Sequence, residues 1–140
     1  IREGVTAYYR QLQELISVYK PDVVGHLDKI KMHNRDRFFR EDEPWCRKLA
    51  DETLSLIQDA GCRMEVNTRG IYKKRSDTTF PGPGILQKAR DMGIPVTITS
   101  DAHKPHELSL HLDETAGALK LMGFGGYEIL TAAGWDTVVL

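Results

Sequence analysis

The stretch "VTITSDAH", residues 96 to 103, joins a strand pattern to two residues that carry chemistry. Residues 96 to 100 alternate in the way that is typical of a short strand, and Gly93 and Pro95 end the helical pattern before it. Asp101 and His103 follow at once, so a carboxylate and an imidazole stand two positions apart at the end of the strand. In parallel α/β sheets, active sites collect at this end of the strands.

Helical and strand patterns alternate on both sides of this stretch. The periodicity predicts strands over 22–27, 63–68 and 96–100, and helices over 4–19, from Asp42 (as N-cap) to Ala60, over 84–92 and over 113–122. "YEIL" and "TVVL" predict two short terminal strands that flank a turn at Ala133 and Gly134. Strands that alternate with helices predict parallel pairing with right-handed crossovers. We therefore expect one α/β domain over 1–140, a sheet or barrel segment with parallel strands and flanking helices.

Polar residues end all three predicted strands. His26 ends the first strand, Glu65 and Asn67 end the second, and Asp101 with His103 ends the third, so all should open onto one face of the sheet. Imidazole and carboxylate together suit divalent ions such as zinc, manganese or iron. A water molecule bound to such an ion has a pKa of roughly 7 and becomes a hydroxide nucleophile. Hydrogen-bonded core or surface residues are the alternative, and these residues alone leave both interpretations open.

A basic loop follows the second predicted strand. "NTRGIYKKR", residues 67 to 75, places Arg69, Lys73, Lys74 and Arg75 just beyond the strand end. Guanidinium and ammonium groups beside a metal site are what binding of a phosphate monoester dianion requires. A solvated basic loop is the alternative, above all for Lys74 and Arg75.

Composition narrows the classes of protein. The formal net charge is −1, which argues against broad nucleic-acid binding, and the hydrophobic content of 41% is enough for one compact core. No apolar run approaches the length of a membrane span. Cys46 and Cys62 form no CxxC pair, so free thiols in a reducing, cytoplasmic compartment are expected. The chain begins with Ile1 and enters a helical pattern almost immediately, which favours a piece of a longer protein.

Three segments of the chain resemble histidinol-phosphatases of the PHP (polymerase and histidinol phosphatase) superfamily. They are "VVGHLDKIK", the run from "EVNTRGIYKKR" through "TITSDAHKP", and the ending "LDETAGALKLMGFGGYEILTAAGWDTVVL". The resemblance implies the carboxyl-terminal half of a distorted (βα)7 TIM-like barrel that hydrolyses L-histidinol phosphate in histidine biosynthesis, with up to three divalent ions (Zn, Mn or Fe). It implies metal binding by His26, Asp101 and His103, a catalytic role for Asp101 and His103, a site-rim position for Glu65, and substrate binding by Asn67, Arg69, Tyr72 and Lys73.

The chain departs from the family pattern in one respect. The HxH motif that opens the family's sequences, and the His and Glu ligands that follow it, are absent from these 140 residues. The resemblance therefore implies an amino-terminal half as partner, an exposed sheet edge that invites self-association, and weak or no activity for the fragment alone. Two alternatives stay open: a PHP-type phosphoesterase for phosphotyrosine or nucleotide phosphates, and a non-catalytic, metal-free module.

Overall fold

A computed structural model describes residues 1–140. The chain forms five α-helices, five β-strands and two 3-10 turns. The helices are α1 (Arg2–Tyr19), α2 (Pro44–Ala60), α3 (Arg69–Tyr72), α4 (Pro83–Asp91) and α5 (Leu112–Leu121). The strands are β1 (Val23–Val24), β2 (Arg63–Asn67), β3 (Val96–Thr99), β4 (Gly126–Thr131) and β5 (Gly134–Val139), and the 3-10 turns are Lys29–Lys31 and Pro105–Glu107.

The first three strands form one parallel sheet in the order β1-β2-β3. Val24 pairs with Met64 in the register of β1 and β2, and Val66 pairs with Ile98 in the register of β2 and β3. The parallel pairing predicted from the alternation of strands and helices is thus confirmed for these strands. Because they run in one direction, the residues that follow β1, β2 and β3 emerge at the same edge of the sheet.

The two terminal strands predicted on either side of a turn are confirmed, but the parallel pairing implied by the alternation of strands and helices is wrong for them. β4 pairs with β5 as an antiparallel hairpin, a separate two-stranded sheet that packs beside β3. Thr131 pairs with Gly134, which leaves a two-residue loop, and such a loop can only join antiparallel strands. Gly134 has φ 114°, a conformation that glycine adopts without strain. Arg63 of β2 forms an ion pair with Glu128 of β4 and tethers the hairpin to the sheet.

Three local predictions also need correction. The first strand covers only Val23–Val24 rather than 22–27, because the backbone turns into the left-handed region at His26. The residue before α2 is Glu43 rather than the predicted N-cap Asp42, whose carboxylate accepts hydrogen bonds from Arg40 instead. The short helix α3 lies in what the sequence indicated as a polar loop.

The core lies between the sheet and the helices. α1 packs on α2, and buried residues from both helices meet Met64 and Val66 of the central strand. Leu86 and Ala89 of α4 and Leu119 of α5 complete this apolar cluster. None of the helices combines the length and the hydrophobicity that crossing a membrane would require.

Candidate functional site

His26 and Asp101 meet at the carboxyl edge of the parallel sheet. They follow β1 and β3, and His26 Nε2 lies 3.3 Å from Asp101 Oδ2 although the residues are 75 positions apart in the chain. Both have left-handed backbone conformations, with φ 56° at His26 and φ 50° at Asp101. Non-glycine residues rarely adopt such angles unless the surroundings enforce them. The rim therefore holds both side chains in a defined arrangement.

Groups on β2 and α1 hold the backbone of His26. Its N–H donates to Glu65 Oε2 at 2.9 Å, and its carbonyl accepts from the hydroxyl of Tyr8. Burial, followed by the charge of Asp28, raises the pKa of Tyr8 to about 12, so this hydroxyl remains a donor at neutral pH. Glu65 also accepts from Asn67 and from Thr99, at 3.2 and 2.6 Å. Glu65, predicted at the site rim, is thus a hub that ties the ends of all three strands together.

Asp101 is fixed from the other side. Its Oδ2 accepts from Asn67 Nδ2 at 3.2 Å, and its backbone carbonyl accepts from Arg69 Nη1 at 2.5 Å. Burial acts to raise the pKa of Asp101, but hydrogen bonds from Asn67 and His26 and the charge of Lys29 outweigh it and lower the pKa. The carboxylate is therefore ionised at neutral pH.

A lysine that the sequence interpretation did not single out stands between these groups. Lys29 Nζ lies 2.9 Å from His26 Nε2 and 3.6 Å from Asp101 Oδ2. Its side chain is 30% exposed, so the ammonium is at the rim rather than in the core. A spacing of three residues on a turn after a strand-end histidine is the sequence signal that could have identified it.

His103 is placed less firmly than His26. Its side chain is 64% exposed, and its Nδ1 lies 2.9 Å from the backbone carbonyl of Asp101 and 3.7 Å from Asp101 Oδ1. The two oxygens of the Asp101 carboxylate thus face different histidines, Oδ2 towards His26 and Oδ1 towards His103.

The side chains of His26, Asp101 and His103 are of the types that bind divalent ions, but they are too few to form a complete metal site. Imidazole nitrogen and carboxylate oxygen are ligands of zinc, manganese and iron, which bind about four or more donors. No group of three or more His, Cys, Asp or Glu side chains in these 140 residues has an arrangement that could hold a metal ion. The chain on its own therefore provides a partial site.

Two of the residues that the resemblance assigns to the substrate, Arg69 and Lys73, converge on a carboxylate that the sequence interpretation missed. Glu107 is 1% exposed; it accepts from Arg69 Nη1 at 3.3 Å, from Lys73 Nζ, and from the backbone N–H of His103 at 2.9 Å. The hydroxyl of Tyr72 donates to the carbonyl of Ser100 at 2.7 Å. The sequence signal that could have identified Glu107 was its charge, because it is the only acidic residue in the segment from 102 to 112 and the loop of residues 67 to 75 contains four basic residues.

This cluster stabilises the loop that carries Asp101 and His103. The hydrogen bond from Lys73 and the His103 N–H lower the pKa of Glu107 to about 2, against the opposing effect of burial. A carboxyl group with a lowered pKa contributes stability that is present above its unfolded value, about 4.5, and is lost as the pH falls through about 2. The network is thus intact at neutral pH.

Glu107→Gln is expected to loosen this loop while the shape of the side chain is kept. The amide cannot compensate the charges of Arg69 and Lys73, so hydrogen exchange at the His103 amide should accelerate at pH 7, as measured by NMR. The variant should also lose less stability than the wild type between pH 5 and pH 2. Glu14→Gln, at an exposed position of α1, is the control and should change neither quantity. An unchanged exchange rate at His103 would contradict the role assigned to Glu107.

Comparison with known proteins shows which enzymes have sequences similar to this chain. No protein-family model matches the chain. The chain is related to histidinol-phosphatases. It is 29% identical over 101 residues to the histidinol-phosphatase of Bacillus subtilis. It is 26% identical over 102 residues to the "Probable histidinol-phosphatase" of Deinococcus radiodurans, and 27% identical over 111 residues to that of Schizosaccharomyces pombe. These matches cover 69%, 73% and 74% of this chain but only 37%, 36% and 34% of the relatives. The chain thus spans about a third of their length.

A solved structure shows the same fold. A histidinol phosphatase candidate from Listeria monocytogenes superposes with a TM-score of 0.71 at 19% identity, over 79% of this chain and 43% of that one. Fold and rim together therefore define an α/β chain with a polar centre at the carboxyl ends of parallel strands. More particularly, the chain is a distant homologue of histidinol-phosphatases.

Proposed function

We propose that this chain is the carboxyl-terminal half of a metal-dependent phosphomonoesterase with a distorted (βα)7 barrel, and that its substrate is L-histidinol phosphate. The observation that carries the proposal is the meeting of His26 Nε2 and Asp101 Oδ2 at 3.3 Å. The distant homology to histidinol-phosphatases supports the choice of substrate. The fraction of the relatives that the chain covers supports its assignment as part of a larger enzyme.

The metal ligands in this proposal are His26, Asp101 and His103, with the remaining ligands supplied by an amino-terminal half. A bound divalent ion would polarise the phosphate and supply hydroxide at neutral pH. The side chains of this chain have their own tasks: Asp101 presents one carboxylate oxygen to each histidine, and Asn67 and Glu65 keep that geometry. β1 lies at the edge of the sheet, where further strands of the barrel or a second copy could pair.

Arg69 and Lys73 would hold the phosphate dianion in this proposal, beside Asn67 and Tyr72. The two cations share one anion, Glu107, so the cluster keeps one net positive charge next to Asp101. Lys73 is 30% exposed and Arg69 13% exposed, so Lys73 is the more accessible of the two.

Phosphate release from L-histidinol phosphate tests the proposal. The complete polypeptide that contains this chain, supplied with Zn²⁺, Mn²⁺ or Fe²⁺, should hydrolyse L-histidinol phosphate with a kcat/KM at least about tenfold above that for phosphotyrosine or AMP. The 140-residue chain alone should release little phosphate, because it lacks most of the ligands. Equal preference for phosphotyrosine would favour the other phosphoesterases, and absence of metal-dependent hydrolysis would favour a non-catalytic module.

A further inference from the structure

A cavity of about 610 Å³ lies between α1, α2 and the N-terminus of α4, and none of the rim residues lines it. Part of its wall is apolar, with Leu54 of α2 and Ile85 of α4 beside the thiol of Cys46. Burial raises the pKa of Cys46 to about 11, so this thiol is uncharged at neutral pH. An apolar wall with a few polar groups, in a cavity of this size, is typical of sites that bind small molecules.

Tyr9 of α1 brings an unpaired hydroxyl to this cavity. The residue is only 2% exposed, yet its hydroxyl makes no hydrogen bond, whereas the hydroxyl of the preceding Tyr8 donates to the carbonyl of His26. Burial, followed by the charge of Asp28, raises the pKa of Tyr9, so its hydroxyl carries a proton at neutral pH. Buried tyrosine hydroxyls normally have a hydrogen-bond partner. A ligand that offers an acceptor atom would supply the missing partner.

The charged side chains around the cavity leave one cation and one anion without a partner. Most of them are paired: Arg40 with Asp42 at 2.8 Å, Glu41 with Lys31 at 3.3 Å, and Lys88 with Asp51 at 3.8 Å. Arg47 of α2 and Asp36 of the loop after β1 also line the cavity, and neither forms an ion pair or a side-chain hydrogen bond. The unpaired charges of the lining therefore sum to zero but have both signs.

The N-terminus of α4 adds two free donors. Gly82, the residue before this nine-residue helix, has no side chain that could cap it, and the N–H groups of Gly84 and Ile85 donate to no acceptor. Both residues line the cavity. Free N–H groups in the first turn of a helix favour an anionic group such as a carboxylate.

We infer that this cavity binds a small zwitterion with an apolar part, of the class of the apolar amino acids. The carboxylate would bind Arg47 and the first turn of α4, and the ammonium would face Asp36. The apolar side chain would pack against Leu54 and Ile85, and the Tyr9 hydroxyl would donate to the carboxylate. A multiply charged anion fits less well, because it would meet the carboxylates of the lining as well as Arg47. The inference goes beyond the proposed function and does not depend on the metal site.

Isothermal titration calorimetry of the complete polypeptide with L-phenylalanine tests this inference. L-Phenylalanine should bind, whereas 3-phenylpropanoate, which lacks the ammonium, and 2-phenylethylamine, which lacks the carboxylate, should each bind at least about tenfold more weakly. Inorganic phosphate should bind more weakly than L-phenylalanine. Each titration contains EDTA, so the result does not depend on a metal ion.

Two variants locate the binding in this cavity. Arg47→Gln should weaken binding of L-phenylalanine at least about tenfold, because the carboxylate loses its cation, and Tyr9→Phe should weaken it about fivefold, because the ring stays and one donor is lost. Lys48→Gln is the matched control for the first, since Lys48 is the next residue of α2 and does not line the cavity. Tyr19→Phe is the control for the second, since Tyr19 is 77% exposed at the end of α1. Neither control should change the affinity.

Three results would overturn the inference. They are absence of binding by both L-phenylalanine and L-leucine, binding of L-phenylalanine that Arg47→Gln and Tyr9→Phe leave unchanged, and tighter binding of phosphate than of L-phenylalanine. The phosphate-release assay is separate from these titrations. Absence of hydrolysis refutes only the proposed activity, and absence of amino-acid binding refutes only the cavity's assignment.

Discussion

Lys31→Met is expected to lower the free energy of unfolding at pH 7 by about 3 kcal/mol, the size typical of removing one partner from a buried ion pair. The side chains of Lys31 and Asp28 are 5% and 2% exposed, and their charged atoms are 2.7 Å apart. Asp28 Oδ2 also accepts from the N–H of Gly82 at 2.8 Å, whereas its Oδ1 has no hydrogen-bond partner. Without the ammonium, Asp28 would be a buried carboxylate supported by one backbone donor, and methionine would fill most of the lysine's volume without compensating that charge.

The size of this effect should depend on pH. Burial raises the pKa of Asp28 to about 6, even though Lys31 and the Gly82 N–H oppose that rise. A raised carboxyl pKa contributes stability that is fully present below the unfolded value, about 3.8, and is lost as the pH rises through about 6. In Lys31→Met this loss should be larger and extend to higher pH. The variant and the wild type should therefore differ little near pH 4 and most above pH 7.

Urea unfolding at pH 4, 5, 6, 7 and 8 measures this difference. Lys48→Met is the control, because Lys48 is exposed on α2 in a 3.9 Å pair with Glu52, and it should cost less than about 0.5 kcal/mol at every pH. Asp28→Asn combined with Lys31→Met removes both charges and should recover most of the lost stability. A difference that is the same at pH 4 and pH 7 would mean that Asp28 is not the group through which Lys31 acts.

The periodic part of the chain could be predicted from sequence because its signals are local. Alternation in 63–68 and 96–100 and helical spacing in α1 and α2 predicted their positions within a few residues, and the common direction of the strands predicted that His26 and Asp101 would be close. The hairpin of β4 and β5 escaped the parallel pattern because its pairing depends on a two-residue loop rather than on a crossover. The sequence pattern predicted the two strands, but it did not predict that they pair with each other in an antiparallel hairpin.

The contacts within the rim could not be predicted, because they depend on how the loops turn. His26, Lys74 and Asp101 have left-handed backbone conformations, which no hydrophobic period encodes. Each such residue redirects the chain, and these turns bring Lys29 to His26 and Glu107 to Arg69 and Lys73. The sequence shows the charges of these residues but not their pairing, since Glu107 is 34 positions from Lys73. The roles of the rim residues in metal and substrate binding therefore remain predictions for experiment.

Asp101→Asn is expected to lower phosphate release from L-histidinol phosphate by the complete polypeptide at least about 100-fold, the upper end for residues that support a metal site. Asparagine tolerates the left-handed φ of 50° and can still accept from Asn67, so the loop should keep its shape. The change removes the one carboxylate that faces both His26 and His103. It should also weaken zinc binding by the complete polypeptide, because the substitution removes a carboxylate ligand of the proposed site.

Asp136→Asn is the matched control for this prediction. Asp136 is exposed on β5 in the terminal hairpin and accepts only from the N–H of Thr137, so its replacement should change neither turnover nor zinc affinity. Circular dichroism and NMR spectra of both variants establish that the fold is kept. If Asp101→Asn retains turnover within about threefold of the wild type, the carboxylate is not part of the reaction centre, and the meeting of His26 and Asp101 is a structural ion pair that holds two strand ends together.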